Sequence, residues 1–291
     1  MIPAAFEYHT PRSVPEATEL LGRLGEEAKV LSGGQSLIPL MKLRLARPRH
    51  VVDINGIPGL AYVRESEGHL RIGALTRESD LEASELVRTR YPLLHDTCAV
   101  IADPLVRNLA TIGGNLAHAD PANDHPAAML AYGAEVTAVG RRGERRIPVS
   151  SFFTGPFATA LAADELLTEI RIPVSSPRSG GAYLKLERKV GDFATAAVAV
   201  QLTLDASGAC ERVGIGLTSV GLTALKAERA EQLLRGKRLE EASITQAAQL
   251  AAEQSQPSAD LRGSVEYKRD LVRVLTTRAL RKAAERAHSR R

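Results

Sequence analysis

Two adjacent glycines recur in similar company, at Gly33-Gly34 and at Gly113-Gly114. The first pair lies in Leu31-Ser32-Gly33-Gly34-Gln35-Ser36, and the second in Ala110-Thr111-Ile112-Gly113-Gly114-Asn115-Leu116. A glycine pair lets backbone N–H groups turn towards a ligand with no Cβ in the way. Ser36, Thr111 and Asn115 add small side chains able to donate to phosphate oxygens. Either pair alone also suits a tight turn; two such loops together could hold a ligand with two phosphates. Neither is Gly-x-Gly-x-x-Gly or a lysine-bearing P-loop, so no Rossmann or Walker nucleotide site is indicated.

A second polar run is His118-Ala119-Asp120-Pro121-Ala122-Asn123-Asp124-His125. Its residue types suit a metal, but the i, i+4 histidine spacing of a zinc helix is absent and Pro121 breaks a helical face. A carboxylate at Asp124 fits better as a hydrogen-bond partner for a ligand's polyol chain or ring edge, or as the N-cap of a helix entering Pro126. The chain has no Gly-x-Ser-x-Gly elbow and no Cys/His pair placed for nucleophilic attack. Cys98 and Cys210 are far apart and form no Cys-x-x-Cys pair, so the chain cannot ligate an iron–sulfur cluster alone. Both read as core residues. Chemistry here would come from a bound cofactor.

Charge supports that reading. From Arg278 onward six Lys/Arg face one Glu, a local +5 in a chain of net +4, so the remainder is close to neutral. The basicity is a C-terminal tail, a solvated helix end or subunit contact rather than a nucleic-acid stripe. No apolar run reaches membrane-spanning length and the first residues do not resemble a signal peptide, which leads us to expect a cytoplasmic protein.

The elements that must position these residues follow from periodicity. Ser13 to Leu24 has helical apolar spacing, with Ser13 as N-cap and Pro15 in the first turn. Ala28 to Leu31 reads as a strand entering the first glycine loop, and Ser36 to Leu45 as a helix leaving it. Strands are expected at 51–54, 70–74 and 134–139, and helices at 77–87, 93–101 and 126–132. Pro173 to Gly181 has linker composition. Beyond it, three strand-like runs (182–190, 193–204 and 209–220) form a meander, followed by helices at about 225–234, 244–254 and 265–287.

Taken as a set, Gly33-Gly34-Gln35-Ser36-Leu37-Ile38-Pro39, Ile101-Ala102-Asp103-Pro104, Thr111-Ile112-Gly113-Gly114-Asn115 and Lys185-Leu186-Glu187-Arg188-Lys189 resemble the FAD-binding medium subunit of molybdenum hydroxylases. The likeness runs nearly end to end and is greatest to the medium subunits of aerobic carbon monoxide dehydrogenases. It implies an α+β fold: an FAD-binding domain of the vanillyl-alcohol-oxidase (PCMH) type over 1–176, in two α+β subdomains of about 1–55 and 56–176. A C-terminal domain with a three-stranded antiparallel sheet and helices would span 177–291. By resemblance, Ser32, Gly33, Gly34, Gln35 and Ser36, with Thr111, Gly113, Gly114 and Asn115, hold the FAD pyrophosphate. Ile101, Asp124, Leu167 and Lys185 match positions that touch the flavin or its ribityl arm.

The match has departures. The carbon monoxide dehydrogenase pattern carries Ala at Ser32 and His at Gln35, and places a Tyr against the isoalloxazine ring where this chain has Phe193. Phenylalanine keeps the stacking and loses the hydroxyl. The resemblance further implies a small iron–sulfur subunit, a large molybdenum subunit, a dimer of heterotrimers and an external electron acceptor. The substrate stays open, because the molybdenum pocket would lie on another chain. Two rival readings are a binding or assembly protein that has lost FAD, and a flavin oxidase acting alone.

Overall fold

The computed structural model describes residues 2–289, and the chain forms three layers around one cleft. The first layer begins with strand β1 (Glu7–His9) and helix α1 (Val14–Leu24), continues through β2 (Ala28–Leu31) and α2 (Leu37–Lys42), and ends in β3 (His50–Asp53). Ser13 Oγ accepts from the Glu16 N–H (3.3 Å) and Gly25, at φ 59°, stops α1, as the sequence requires. The three strands pair in parallel in the order β1-β3-β2. Ala17 and Leu21 of α1 bury against Val52 and Ile54. The expected helix from Ser36 to Leu45 is shorter: it ends at Lys42, and Arg44 turns left-handed at φ 60°.

The second layer holds β4 (Val63–Ser66), β5 (His69–Gly73), the helices α3 (Glu78–Ala83), α4 (Glu85–Arg90), α5 (Pro92–Ala99), α6 (Pro104–Arg107), α7 (Ile112–His118) and α8 (His125–Tyr132), then β6 (Glu135–Gly140) and β7 (Gly143–Pro148). A small hairpin, β8 (Phe153–Gly155) with β9 (Ala158–Thr159), precedes the long β10 (Leu166–Pro173). Strand order is β4-β5-β10-β6-β7, all antiparallel. β10 is the central strand and is buried almost throughout. The single helix expected over 77–87 is two: Ser84 adopts extended backbone, and its Oγ accepts from Val87 N–H (3.4 Å) to start α4. A serine able to cap ends one helix and begins another.

The third layer is an antiparallel sheet of β11 (Ser179–Leu186), β12 (Ala196–Leu204) and β13 (Cys210–Thr218), with the two-residue β14 (Leu225–Lys226) added at its edge. Helices α9 (Glu228–Leu234), α10 (Glu241–Gln254) and α11 (Val265–Ser289) follow, so Leu225 and Lys226 belong to a strand rather than to the expected helix. The linker is only 174–178, because β10 runs through Pro173 and β11 starts at Ser179. Gly180 is sheet, not linker: a Cβ there would strike the Ala283 carbonyl of α11. On the opposite face Gly214 and Gly216 admit the carbonyls of Ala131 and Ala127 in α8. The sheet is thus pressed between α11 and α8, and one buried cluster joins the second layer to Tyr183, Ala194, Ala197 and Ala199 of the third.

The basic C-terminal segment has a specific use. Arg286 donates to both carboxylate oxygens of Asp96 on α5 (2.7 and 3.0 Å) and to the Gly181 carbonyl (2.6 Å), and Lys282 adds a bond to Asp96 (3.1 Å). Arg281 pairs with Glu241. Arg290 and Arg291 of that segment lie outside the described residues.

Candidate functional site

The three layers meet around a cleft of about 640 Å³. Its lining includes Ser32, Gly33, Gly34, Gln35 and Ser36 from the turn after β2, and Thr111, Gly113, Gly114 and Asn115 from α7. Ile101, Asp124 and Leu167 of the second layer and Lys185 and Phe193 of the third complete the set named from sequence. Residues as far as 161 positions apart in the chain, Ser32 and Phe193, therefore face one space.

The two glycine pairs do different work. Gly34 has φ 73°, and a Cβ on Gly33 would lie 2.7 Å from the Ala110 Cα and closer still to the Leu109 carbonyl. Only glycine fits there. Among the described residues, the N–H groups of Gly33, Gly34, Gln35 and Ser36 donate to no protein acceptor. Four free donors in succession form an anion-binding concavity. The second pair is not a loop, as the sequence suggested, but the first turn of α7. Its N–H groups are already used: Ile112 donates to Thr76 O (3.2 Å), Gly113 to Ala74 O (3.0 Å) and Gly114 to Thr111 Oγ1 (3.1 Å). Gly113 lets α7 lie on Ala74, where a Cβ would meet the Ala74 Cβ at 2.5 Å. Gly114 leaves room for Ser32 Oγ and Thr111 Oγ1, which bond each other at 3.1 Å across the layers.

The residues therefore fit a diphosphate: one turn supplies bare N–H groups and the Ser32 hydroxyl, and the other side supplies the Thr111 hydroxyl. Asn115 Oδ1 is buried without a hydrogen-bond partner, a polar end left for a ligand on this wall. The Asn115 carbonyl is held by Asn123 Nδ2 (2.8 Å), which keeps the α7 exit against the loop before α8.

Asp124 occupies the N-cap position of α8, yet its side chain makes no capping bond. It accepts instead from Tyr183 OH (2.6 Å) and Lys185 Nζ (3.1 Å). Lys185 also donates to the Val100 carbonyl (3.0 Å) and lies 3.3 Å from Glu187. Burial pushes the Asp124 carboxyl above the usual carboxylate range, while Lys185 and Tyr183 pull the other way. Burial, then the Asp124 charge, drive the Tyr183 hydroxyl well above its ordinary value, so it stays a donor. Tyr183 was not singled out from sequence; its signal is the i, i+2 relation to Lys185 on one face of a strand.

The His118–His125 run does not converge on a metal position. His125 turns into the core, where its Nε2 meets Glu78 Oε2 at 2.7 Å with both side chains fully buried. His118 faces the cleft instead, its ring centroid 5.2 Å from that of Phe157, and burial lowers its tendency to protonate. Asp120 Oδ1 accepts from Ala122 N–H (2.9 Å), a local turn.

Two exposed aromatics stand at the cleft. Phe193 is 48% exposed and lies in the connection 187–195, not at the start of a strand as its neighbours suggested, since β12 begins at Ala196. Asp192 fixes that connection by accepting from Arg188 (2.9 Å), Arg262 (3.0 Å) and the Phe193 N–H (2.8 Å), and the two arginines hold its carboxyl down at about 2. Phe157, 60% exposed, sits at φ 57° with its N–H donating to Ala119 O (2.9 Å). Nothing in the sequence around Phe157 marks it; its place follows from the β8–β9 hairpin. Leu167 lies beside an irregularity in the pairing of β10 with β6 and is buried at the cleft wall.

Comparison with known proteins gives concordant findings. Residues 4–175 match the family described as the FAD binding domain in molybdopterin dehydrogenase, and residues 181–283 match the CO dehydrogenase flavoprotein C-terminal domain. The carbon monoxide dehydrogenase medium chain of Hydrogenophaga pseudoflava is 45% identical over 97% of this chain and 98% of its own. The 6-hydroxypseudooxynicotine dehydrogenase complex subunit alpha of Paenarthrobacter nicotinovorans is 39% identical, over 99% of this chain and 97% of its own. Among solved structures, a carbon monoxide dehydrogenase from Hydrogenophaga pseudoflava lacking the Mo-pyranopterin moiety of the molybdenum cofactor superposes with a TM-score of 0.96 at 46% identity, covering 98% of this chain and 99% of that one.

Proposed function

The chain belongs to the family of FAD-carrying medium subunits of molybdenum hydroxylases, an oxidoreductase family, and from that premise we propose that it relays electrons from the iron–sulfur clusters of a small subunit to an external acceptor. FAD, when bound, supplies a centre that accepts electrons singly and releases them singly or in pairs. The observation that carries this reading is the cleft: a turn with four free N–H groups is joined through Ser32 to the Thr111 hydroxyl of the second layer, and a buried Lys–Asp–Tyr cluster lies on the same lining.

In this reading the N–H groups of residues 33–36, with Ser32 and Thr111, hold the pyrophosphate. Asp124, kept in place by Tyr183 and Lys185, accepts hydrogen bonds from the ribityl arm or ring edge, and Ile101 and Leu167 give apolar walls. Phe193 stacks at the mouth and keeps water off the ring. Residues 1–176 act as the FAD-binding domain, and 177–291 close the cleft from the far side with Lys185 and Phe193. No residue of this chain activates the substrate, which falls to a molybdenum-bearing large subunit. We place the assembly in the cytoplasm as a dimer of heterotrimers; no helix among the described residues is long and apolar enough to cross a membrane.

Near-full-length identity to a carbon monoxide dehydrogenase medium chain favours carbon monoxide as the substrate of the assembly. Gln35 favours instead an aromatic or heterocyclic hydroxylase of the xanthine dehydrogenase kind. Co-expression with the adjoining subunits, followed by flavin extraction and substrate-dependent bleaching, tests both levels. The expected result is one FAD per medium subunit, bleached by one substrate class. A purified assembly without flavin refutes the relay, and bleaching by a heterocycle but not by carbon monoxide refutes the substrate.

A further inference from the structure

At the β1 edge of the first layer's sheet, β1 and β3 bring Glu7, His9 and His50 together. β1 and β3 pair in parallel with Glu7 opposite His50, and His9 lies two residues on, facing the same side as Glu7. The three candidate ligand atoms form a triangle. His9 Nε2 lies 3.2 Å from His50 Nδ1, and the single oxygen Glu7 Oε2 lies 3.4 Å from His50 Nδ1 and 3.9 Å from His9 Nε2. A tetrahedral zinc site with bonds of 2.0–2.2 Å spaces its ligand atoms about 3.3–3.6 Å apart. An octahedral magnesium site would space them about 3.0 Å apart and would prefer oxygen throughout.

We propose that Glu7, His9 and His50 bind a divalent transition metal of the zinc class, with a fourth position open to water or another ligand. Two imidazoles and one carboxylate are a donor set that zinc takes with one position free. His9 and His50 are partly buried, at 25% and 15% side-chain exposure, so the strands orient them while the site stays accessible from solvent. The bound ion fastens β1, a three-residue edge strand, to β3. The other triad of similar composition, Glu78, Cys98 and His125, does not compete for this role. It is fully enclosed, and burial opposes loss of the Cys98 thiol proton that metal binding needs. The proposed site is remote in chemistry from the FAD cleft, and its test does not use the flavin.

The full-length chain, stripped with chelator, is titrated with Zn2+ by calorimetry and with Co2+ by visible absorption. The expected result is one equivalent bound, a tetrahedral Co2+ spectrum, and a melting temperature raised by metal. His9→Ala and His50→Ala weaken Zn2+ binding by about tenfold or more, whereas His69→Ala, on another sheet, leaves it unchanged. Circular dichroism of each variant confirms folding, so loss of binding reports the site. No stoichiometric uptake, an octahedral Co2+ spectrum, or binding that survives both His9→Ala and His50→Ala overturns the proposal.

Discussion

Gly114→Val is the substitution that best separates cofactor binding from folding. A Cβ at 114 would lie 2.7 Å from Ser32 Oγ and 2.8 Å from Thr111 Oγ1, and both are side-chain atoms that can swing away. Their departure breaks the 3.1 Å Ser32–Thr111 bond and the 3.1 Å cap from Thr111 to the Gly114 N–H. The cap is worth about 1 kcal/mol, and the hydroxyl bond about 1 kcal/mol more. Replacing a helical glycine returns about 0.5 kcal/mol. The net loss of about 1.5 kcal/mol is small beside a stability of roughly 5–15 kcal/mol, so the chain stays folded. In the proposed site binding suffers at least as much: one hydroxyl of the pair donates to the other, and the remaining proton makes one charge-assisted bond to phosphate of about 1.5–3 kcal/mol, or roughly 10–10² in Kd. Apo-protein is titrated with FAD by flavin fluorescence, and folding is followed by denaturant melts. Gly113→Val is the contrast, since its side chain would strike Ala74 itself and damage the fold. Stoichiometric FAD retained at unchanged affinity by Gly114→Val would refute the reasoning.

Two further outcomes follow from the same cleft. Phe193→Tyr adds a hydroxyl beside the ring that Phe193 is proposed to cover; it preserves FAD binding and shifts the flavin midpoint potential in a spectroelectrochemical titration, and an unchanged potential counts against the stacking role. Lys185→Met leaves the buried Asp124 carboxylate without its cation and costs about 3–5 kcal/mol at neutral pH. Asp124 titrates above its ordinary value in the folded state, chiefly through burial, so the folded chain binds the extra proton and stability falls as pH rises through that interval. Removing Lys185 widens the interval. The deficit of the variant therefore shrinks as pH falls from neutral into the range where Asp124 takes up its proton, and urea melts showing a deficit independent of pH would contradict this.

Much of the local structure was legible where one signal acted alone. Strand β2 falls on Ala28–Leu31 and α1 on the span after its Ser13 cap, as their patterns require. Misreadings arose where a residue serves two ends. Gly113 and Gly114 look like a loop because glycine disfavours helices, yet tertiary contact with Ala74 and Ser32 outweighs that propensity of about 1 kcal/mol. Gly180 and Gly181 look like linker but lie in β11, where Gly180 adjoins α11. Strand β4 escaped notice because Val63-Arg64-Glu65-Ser66 is nearly all polar, and its strand character comes from pairing with β5. Tyr183 and Phe157 were illegible for another reason. Their roles depend on which faces of distant elements meet, and only long-range packing decides that. The basic tail was visible as charge, but its target Asp96 was not.

That Arg286–Asp96 tie bears on the order in which the molecule is made. Lys185 in β11 and Phe193 in the connection after it form one wall of the cleft, and β11 is tied to α5 by a side chain near the end of the last helix. Domains fold as units, amino-terminal first, as the chain leaves the ribosome. The first two layers can fold early, but their glycine turn and hydroxyl pair then face an open trough. Cofactor loading with full affinity must wait for the final turns of α11 to emerge. A chain shortened before Arg286 should accordingly acquire flavin poorly even where most of its β-structure forms.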